Sequence, residues 1–139
     1  MSQRLILAPL LGVTGVIFRR IFQGHFGGFD QAMSPFIAVT HGKQPPASHF
    51  RDIDPVANRG CPPLIPQLIG KDGQDFRETA ARIHGEFGYD EVNWNIGCPA
   101  GTVTSRLRGA GMLALLLPRS LWYRQARELA DRAVRRRLR

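Results

Sequence analysis

The chain has 139 residues, the length of one ordinary domain, and its 43% apolar and 22% charged content excludes intrinsic disorder and collagen-like repeats. Its two cysteines, Cys61 and Cys98, form no Cys-x-x-Cys pair and stand in no His/Cys cluster at ligand spacing, which argues against a disulfide scaffold, a zinc module or any other metal site. The net charge of +8 is uneven: residues 119–139 carry eight arginines against Glu128 and Asp131, leaving +2 for the first 118. A basic total suits a polyanion such as RNA, but a solvated helix face with a ragged basic end explains that segment equally well.

Leu5 to Phe18 is almost wholly apolar behind Arg4 and imitates a signal-peptide core. Pro9 and Gly12 interrupt it, and Arg19-Arg20 follow with no small-residue cleavage site. The run is too short and broken to span a bilayer, so the expectation is a cytoplasmic, reducing location with no membrane partner.

In chain order, Leu5–Ala8 reads as a buried strand. Thr14–Gln23 reads as a helix with Phe18, Ile21 and Phe22 on one face, closed by Gly24 and Gly27-Gly28. A second strand is expected over about Gln31–Ile37, then a polar loop over 40–63 with one short helix near His49. Leu64–Ile69 is the third strand, weakened by Pro66. Asp72 is placed to cap a helix whose Phe76, Ala80, Ile83 and Phe87 share a face, and Gly88 ends it. Glu91–Ile96 is the fourth strand, 97–111 a glycine-containing loop, and Leu121–Arg137 a last helix presenting Trp122, Ala126, Leu129 and Ala133.

Strand and helix in alternation mean parallel strands with crossover helices, in a doubly wound sheet or part of a (β/α)8 barrel. No Gly-x-Gly-x-x-Gly follows the first strand, so a dinucleotide-binding open sheet has no support. A barrel needs about 250 residues, so the four units expected here make about half of one.

Polar residues fall where such folds bind ligands. Alternation through Val92–Gly97 puts Asn93, Asn95 and Gly97 on one face of the fourth strand and Val92, Trp94 and Ile96 on the other. Amides on a covered parallel strand are costly without partners. Gln67 poses the same question in the third strand, and a carboxamide both donates to and accepts from a planar heterocycle. Pro9, Gln67, Asn95 and Cys98 are expected at the carboxyl-end rim, unless the amides only satisfy loop backbone. Cys98, between Gly97 and Pro99, is either a small buried apolar group or a thiol aimed at that rim and able to donate a proton. His41 and His49 are the available bases, but no spacing joins either to Cys98, and both read as loop residues.

Ala8-Pro9-Leu10-Leu11-Gly12-Val13-Thr14, Phe18-Arg19, Ile65-Pro66-Gln67-Leu68, Val92-Asn93-Trp94-Asn95-Ile96-Gly97-Cys98-Pro99, Val103 and Gly109-Ala110-Gly111 together resemble the tRNA-dihydrouridine synthases, in order and at the family's spacing. Val39-Thr40-His41-Gly42 and His49-Phe50 resemble the bacterial branch acting on uridine 16. The resemblance implies an FMN enzyme on a (β/α)8 barrel followed by a helical RNA-binding domain. NADPH reduces the flavin, hydride passes to C6 of a tRNA uridine, and a cysteine protonates C5. On this chain it makes Cys98 the proton donor, Pro9, Leu10, Leu11 and Gln67 flavin-binding, and Asn95 the residue that holds the uracil.

Leu10, Gly15, Pro35 and Gly101 depart from the family's usual Met, Asp, Glu and Lys or Asn. The recognisable motifs end near Met112, and the family's fifth-strand lysine, later histidine and phosphate loops find no counterpart. The expected organisation is therefore residues 1–118 as the N-terminal half of an FMN-binding barrel and 119–139 as a basic helical tail, divergent or truncated. The rival readings are a non-catalytic basic fragment that binds RNA or self-associates through unpaired barrel edges, and a different FMN-barrel reductase of dihydroorotate or ene type.

Overall fold

The computed structural model describes residues 3–116. The chain divides into two compact units, one reaching to Asn95 and the other beginning at Ile96. The last helix expected from the sequence, Leu121–Arg137, lies outside the described residues.

In the first unit β1 (Ile6–Leu7) leads through α1 (Val16–His25) to β2 (Gln31–Met33) and β3 (Ile37–Ala38). A 3-10 helix spans Ala47–Ile53, near the position expected around His49, and is followed by β4 (Leu64–Ile65), β5 (Gln67–Ile69), α2 (Gly73–Phe87) and β6 (Asn93–Trp94). All strand pairs are parallel, ordered β1-β2-β4 and β3-β5-β6, so each successive strand run is laid beside the one before it. The protein is therefore α/β with parallel strands and intervening helices.

The second and third strands are each broken where a single run was expected. Pro66 has no N–H for the ladder, and its carbonyl accepts Asn93 N–H at 2.8 Å. Met33 pairs with Ile65 and Ile37 with Leu68, so four steps on one strand face three on the next. The extra residue makes a bulge at Ser34–Phe36. Pro35 sits inside that bulge rather than at the strand's carboxyl end, and there it removes no ladder bond. Ser34 closes the gap: its N–H donates to Ile65 O at 3.0 Å and its Oγ accepts Gln67 N–H at 3.0 Å.

One face of these strands packs on the helices. Ile37, Val39, Phe50, Ile53, Leu68 and Ile83 form a buried cluster, with Phe76, Ala80 and Phe87 of α2 against it. Phe50 stacks on Phe87 at 5.5 Å, Arg82 lies over the Phe50 ring at 4.5 Å, and Tyr89 Oη donates to Ile53 O at 2.8 Å. Trp94 stacks on Phe76 at 4.6 Å, so β6 turns that side chain toward α2. Period-two geometry then sends Asn93 and Asn95 to the opposite face, as the alternation requires.

The first helix packs differently from its expected pattern. Phe18 and Phe22 are half-buried and stacked at 5.7 Å, but Ile21 is exposed, as is Ile17, and the fully buried residue of α1 is Arg19. Its guanidinium donates to Thr14 O (2.7 Å), Asp52 Oδ2 (2.9 Å), Asp52 O (2.7 Å) and Asn58 Oδ1 (2.9 Å), while Nε is buried without a partner. Gly15 offers α1 no capping side chain. Asp52 Oδ1 does that work from 36 residues away, accepting Val16 N–H at 2.7 Å. A Cβ on residue 15 would stand 3.2 Å from that oxygen, so glycine leaves room for the distant carboxylate.

The cap expected of Asp72 is present: its carboxylate accepts the N–H groups of Gln74 and Asp75 at 2.9 and 3.0 Å, and Gly88 ends α2 at φ 72°. Among the described residues no helix is long and apolar enough to cross a membrane.

Two outcomes follow for stability. Asp52→Ala strands the Arg19 charge and removes the α1 cap, and should destabilise the protein by about 3 kcal/mol in urea unfolding. The N–H groups of Asp75 and Gln74 hold the Asp72 carboxyl below its usual range. Its stabilising effect is therefore complete above the unfolded-state value and is lost as pH falls through the lowered one. Asp72→Ala should flatten that acid limb in melts recorded from pH 6 downward.

Candidate functional site

On the face of the strands away from α2, three carboxamides join in a line. Asn95 Nδ2 donates to Gln67 Oε1 at 3.0 Å, and Gln67 Nε2 donates to Asn93 Oδ1 at 2.9 Å and reaches Met33 Sδ at 4.0 Å. Gln67 and Asn93 are ladder partners, each opening its strand, and Asn95 follows β6. Gln67 is buried and the two asparagines half-buried. Two of the expected residues, Gln67 and Asn95, are thus brought into direct contact. Their amides hydrogen-bond to one another. Gln67 stands at the start of β5, not at its carboxyl end.

At the end of β1, Pro9 is half-buried while Leu10 and Leu11 are exposed. The turn carrying them is rigid: Thr14, itself buried, accepts Leu10 N–H on Oγ1 at 2.7 Å, Leu10 O accepts the N–H groups of Val13 and Thr14 at 3.0 Å, and Gly12 sits at φ 80°. Leu11 shares an open groove of about 300 Å³ with Pro35, Phe36, His49 and Asp52. His41 Nδ1 lies 3.0 Å from Asp75 Oδ2, in keeping with a loop role. One group of metal-ligand types does assemble: His41, Asp72 and Asp75 meet at the start of α2, where each has a protein partner already.

Cys98 belongs to the second unit. It is half-buried, and its carbonyl accepts Ala110 N–H at 2.9 Å. The segment 97–111, expected to be loop, contains α3 (Gly101–Thr104) and enters a 3-10 turn at Gly109–Met112, with α4 (Leu113–Leu116) following. This turn folds back on the cysteine. A Cβ at Gly109 would stand 2.6 Å from Cys98 O and 3.1 Å from Cys98 Cβ, and one at Gly111 would stand 2.7 Å from Thr104 O. Gly109 therefore backs directly onto Cys98, while Gly111 lies against Thr104. The other thiol, Cys61, contacts Val16 O at 3.9 Å, and burial raises it above the ordinary thiol range against the pull of Arg19 and Arg20.

The order of these parts along the chain matches a known family. The family model for dihydrouridine synthase covers residues 6–132. This chain is a member of the dihydrouridine synthase family. Among its relatives, the tRNA-dihydrouridine(16) synthase of Neisseria meningitidis serogroup A is 32% identical over 115 residues, 79% of this chain and 34% of that protein. That of Ralstonia nicotianae is 32% identical over 120 residues, 80% of this chain and 35% of the relative. The tRNA-dihydrouridine synthase B of Pasteurella multocida is 31% identical over 120 residues, 81% and 32% respectively. The chain spans about a third of the length of the relatives it matches. Membership sets aside the dihydroorotate and ene-reductase readings. It also corrects the apparent end of the resemblance near Met112, since the match continues into the arginine-bearing segment as far as residue 132.

Sequence reading missed Arg19, Asp52, Asn58 and Ser34 as structural partners. Arg19 stood inside a recognised motif, but its acceptors come from a loop with no period to mark them. Gly109→Ala should cost at least about 1–3 kcal/mol from the forced positive φ, and the 2.6 Å approach to Cys98 O adds to it. It should also change the rate at which Cys98 reacts with a thiol reagent, measured in a Cys61→Ser background.

Proposed function

We propose that this chain is the N-terminal part of a tRNA-dihydrouridine synthase, with its strand runs as the first four units of a (β/α)8 barrel. The barrel portion is proposed over residues 1–118, and the basic segment 119–139 lies outside the described residues. The observation that carries the reading is the Asn95–Gln67–Asn93 amide line on the face of the parallel strands opposite α2, inside a chain of this family. Amide donors and acceptors held on such a face suit the edge of a flat heterocycle, and the exposed Leu10 and Leu11 on a rigid turn suit an apolar ring face. The donor set therefore fits FMN.

When bound, FMN reduced by NADPH supplies hydride for C6 of a uridine. Pro9, Leu10 and Leu11 would line the flavin and Gln67 would hydrogen-bond its ring. Asn95 holds the uracil by its amide. Cys98 Sγ–H gives its proton to C5, leaving a thiolate that solvent reprotonates. The substrate is tRNA, and the names of the relatives favour uridine 16. A cytoplasmic location suits both the substrate and two thiols.

Purified protein given FMN should show a bound-flavin absorbance spectrum, and with NADPH should form dihydrouridine in tRNA. Cys98→Ala should keep the flavin and lose at least about a hundredfold in rate; a variant that reduces tRNA normally shows the proton-donor role to be wrong.

A second reading is favoured by the open side of the first unit. Leu5, Ile6, Val13, Ile17 and Ile21 are exposed in the stretch that holds β1, the turn after it and α1, and among the described residues β1 pairs with β2 alone. A non-catalytic fragment that binds RNA or self-associates through these edges would show salt-sensitive tRNA binding or a dimer by light scattering, with no flavin colour.

A further inference from the structure

The amide line has a direction, and it ends on a residue to which the flavin reading gives no task. Asn95 donates to Gln67, and Gln67 donates to Asn93. A carboxamide is nearly symmetric in shape, so a buried glutamine can turn about its last bond and exchange oxygen for nitrogen. In the structure Asn95 presents its amide N–H to Gln67 Oε1, and Asn93 presents its amide oxygen to Gln67 Nε2. Met33 Sδ, a poor acceptor at 4.0 Å, is the other neighbour of Nε2. One proton of Nε2 is thus committed to Asn93, and the second faces a group that a ligand carbonyl or ring nitrogen would readily outcompete. The backbone is held equally well, since Gln67 N–H donates to Ser34 Oγ and Asn93 N–H to Pro66 O.

Resting on the flavin reading above, we propose that Asn93 is a positioning residue: its carboxamide oxygen sets the orientation of Gln67, so that Gln67 presents an N–H donor to the pyrimidine edge of the flavin. Asn93 needs no contact with the flavin. What it supplies is an acceptor at a fixed place on the neighbouring strand, and a carboxylate there would serve as well.

The test uses the full 139-residue chain and has two readouts. In ¹H–¹⁵N spectra, the Gln67 side-chain NH2 pair should be dispersed in the wild type and in Asn93→Asp. In Asn93→Leu it should move toward the free-glutamine position. In FMN titrations followed by flavin fluorescence, Asn93→Leu should weaken binding by about tenfold, the scale of one lost hydrogen bond. Asn93→Asp should restore affinity to within about twofold of wild type. Gln67→Leu combined with Asn93→Leu should bind no worse than Gln67→Leu alone, because the two residues act through one group. Asn93→Ala replaces the leucine variant if the latter fails to melt cooperatively.

An unmoved Gln67 NH2 pair in Asn93→Leu overturns the inference, and so do additive losses in the double variant. Wild-type protein that takes up no FMN overturns the flavin reading instead, and the Gln67 resonances still decide whether Asn93 orients it.

Discussion

The first unit is organised around a buried cation. Taking a guanidinium out of water costs several kcal/mol, and Arg19 recovers that only because a carboxylate, two backbone carbonyls and an amide oxygen converge on it. Three of those four acceptors come from the segment after the second strand run, so the interaction ties α1 to the 3-10 turn at Ala47–Ile53 and to Asn58. Asp52 serves twice, pairing with the charge and capping the helix. The turn that carries Pro9, Leu10 and Leu11 leads directly into this knot through Thr14, whose carbonyl is one of the acceptors. A rigid platform at the end of β1 therefore depends on a charge that never meets solvent.

The strands behind the platform are interrupted for a related reason. A parallel strand buried on both faces usually tolerates neither proline nor amides. Here Pro66 and the bulge at Ser34–Phe36 occur at neighbouring points on adjacent strands, and Ser34 Oγ takes up the Gln67 N–H. The break brings Gln67 level with Asn93 in the ladder, and the side-chain amides then satisfy one another across β5 and β6. Polar groups that would be costly singly become a connected line.

In the second unit the governing constraint is steric. Cys98 is followed by a short helix and a return turn in which Gly109 approaches the Cys98 carbonyl, and Gly111 that of Thr104, more closely than a Cβ allows. Gly109 and Gly111 carry no chemistry of their own. They permit close approaches that a side chain would block.

Local pattern was enough to determine the parallel α/β character, the α2 helix with its Asp72 cap and Gly88 stop, the interruption at Pro66, and the shared face of Asn93 and Asn95, because each depends on neighbours within a few residues. Period put Ile21 on one helical face with Phe18 and Phe22, yet Ile21 is exposed, since apolar spacing shows that a helix has an apolar stripe and not which partner covers it. Tertiary structure alone decided that Arg19 is buried, that Asp52 replaces the capping side chain missing at Gly15, that Gln67 bonds to both asparagines, and that Gly109 backs Cys98. Each of those joins atoms from separate stretches of chain, often more than 25 residues apart, and the energy of such a contact depends on distances that no spacing along one segment encodes.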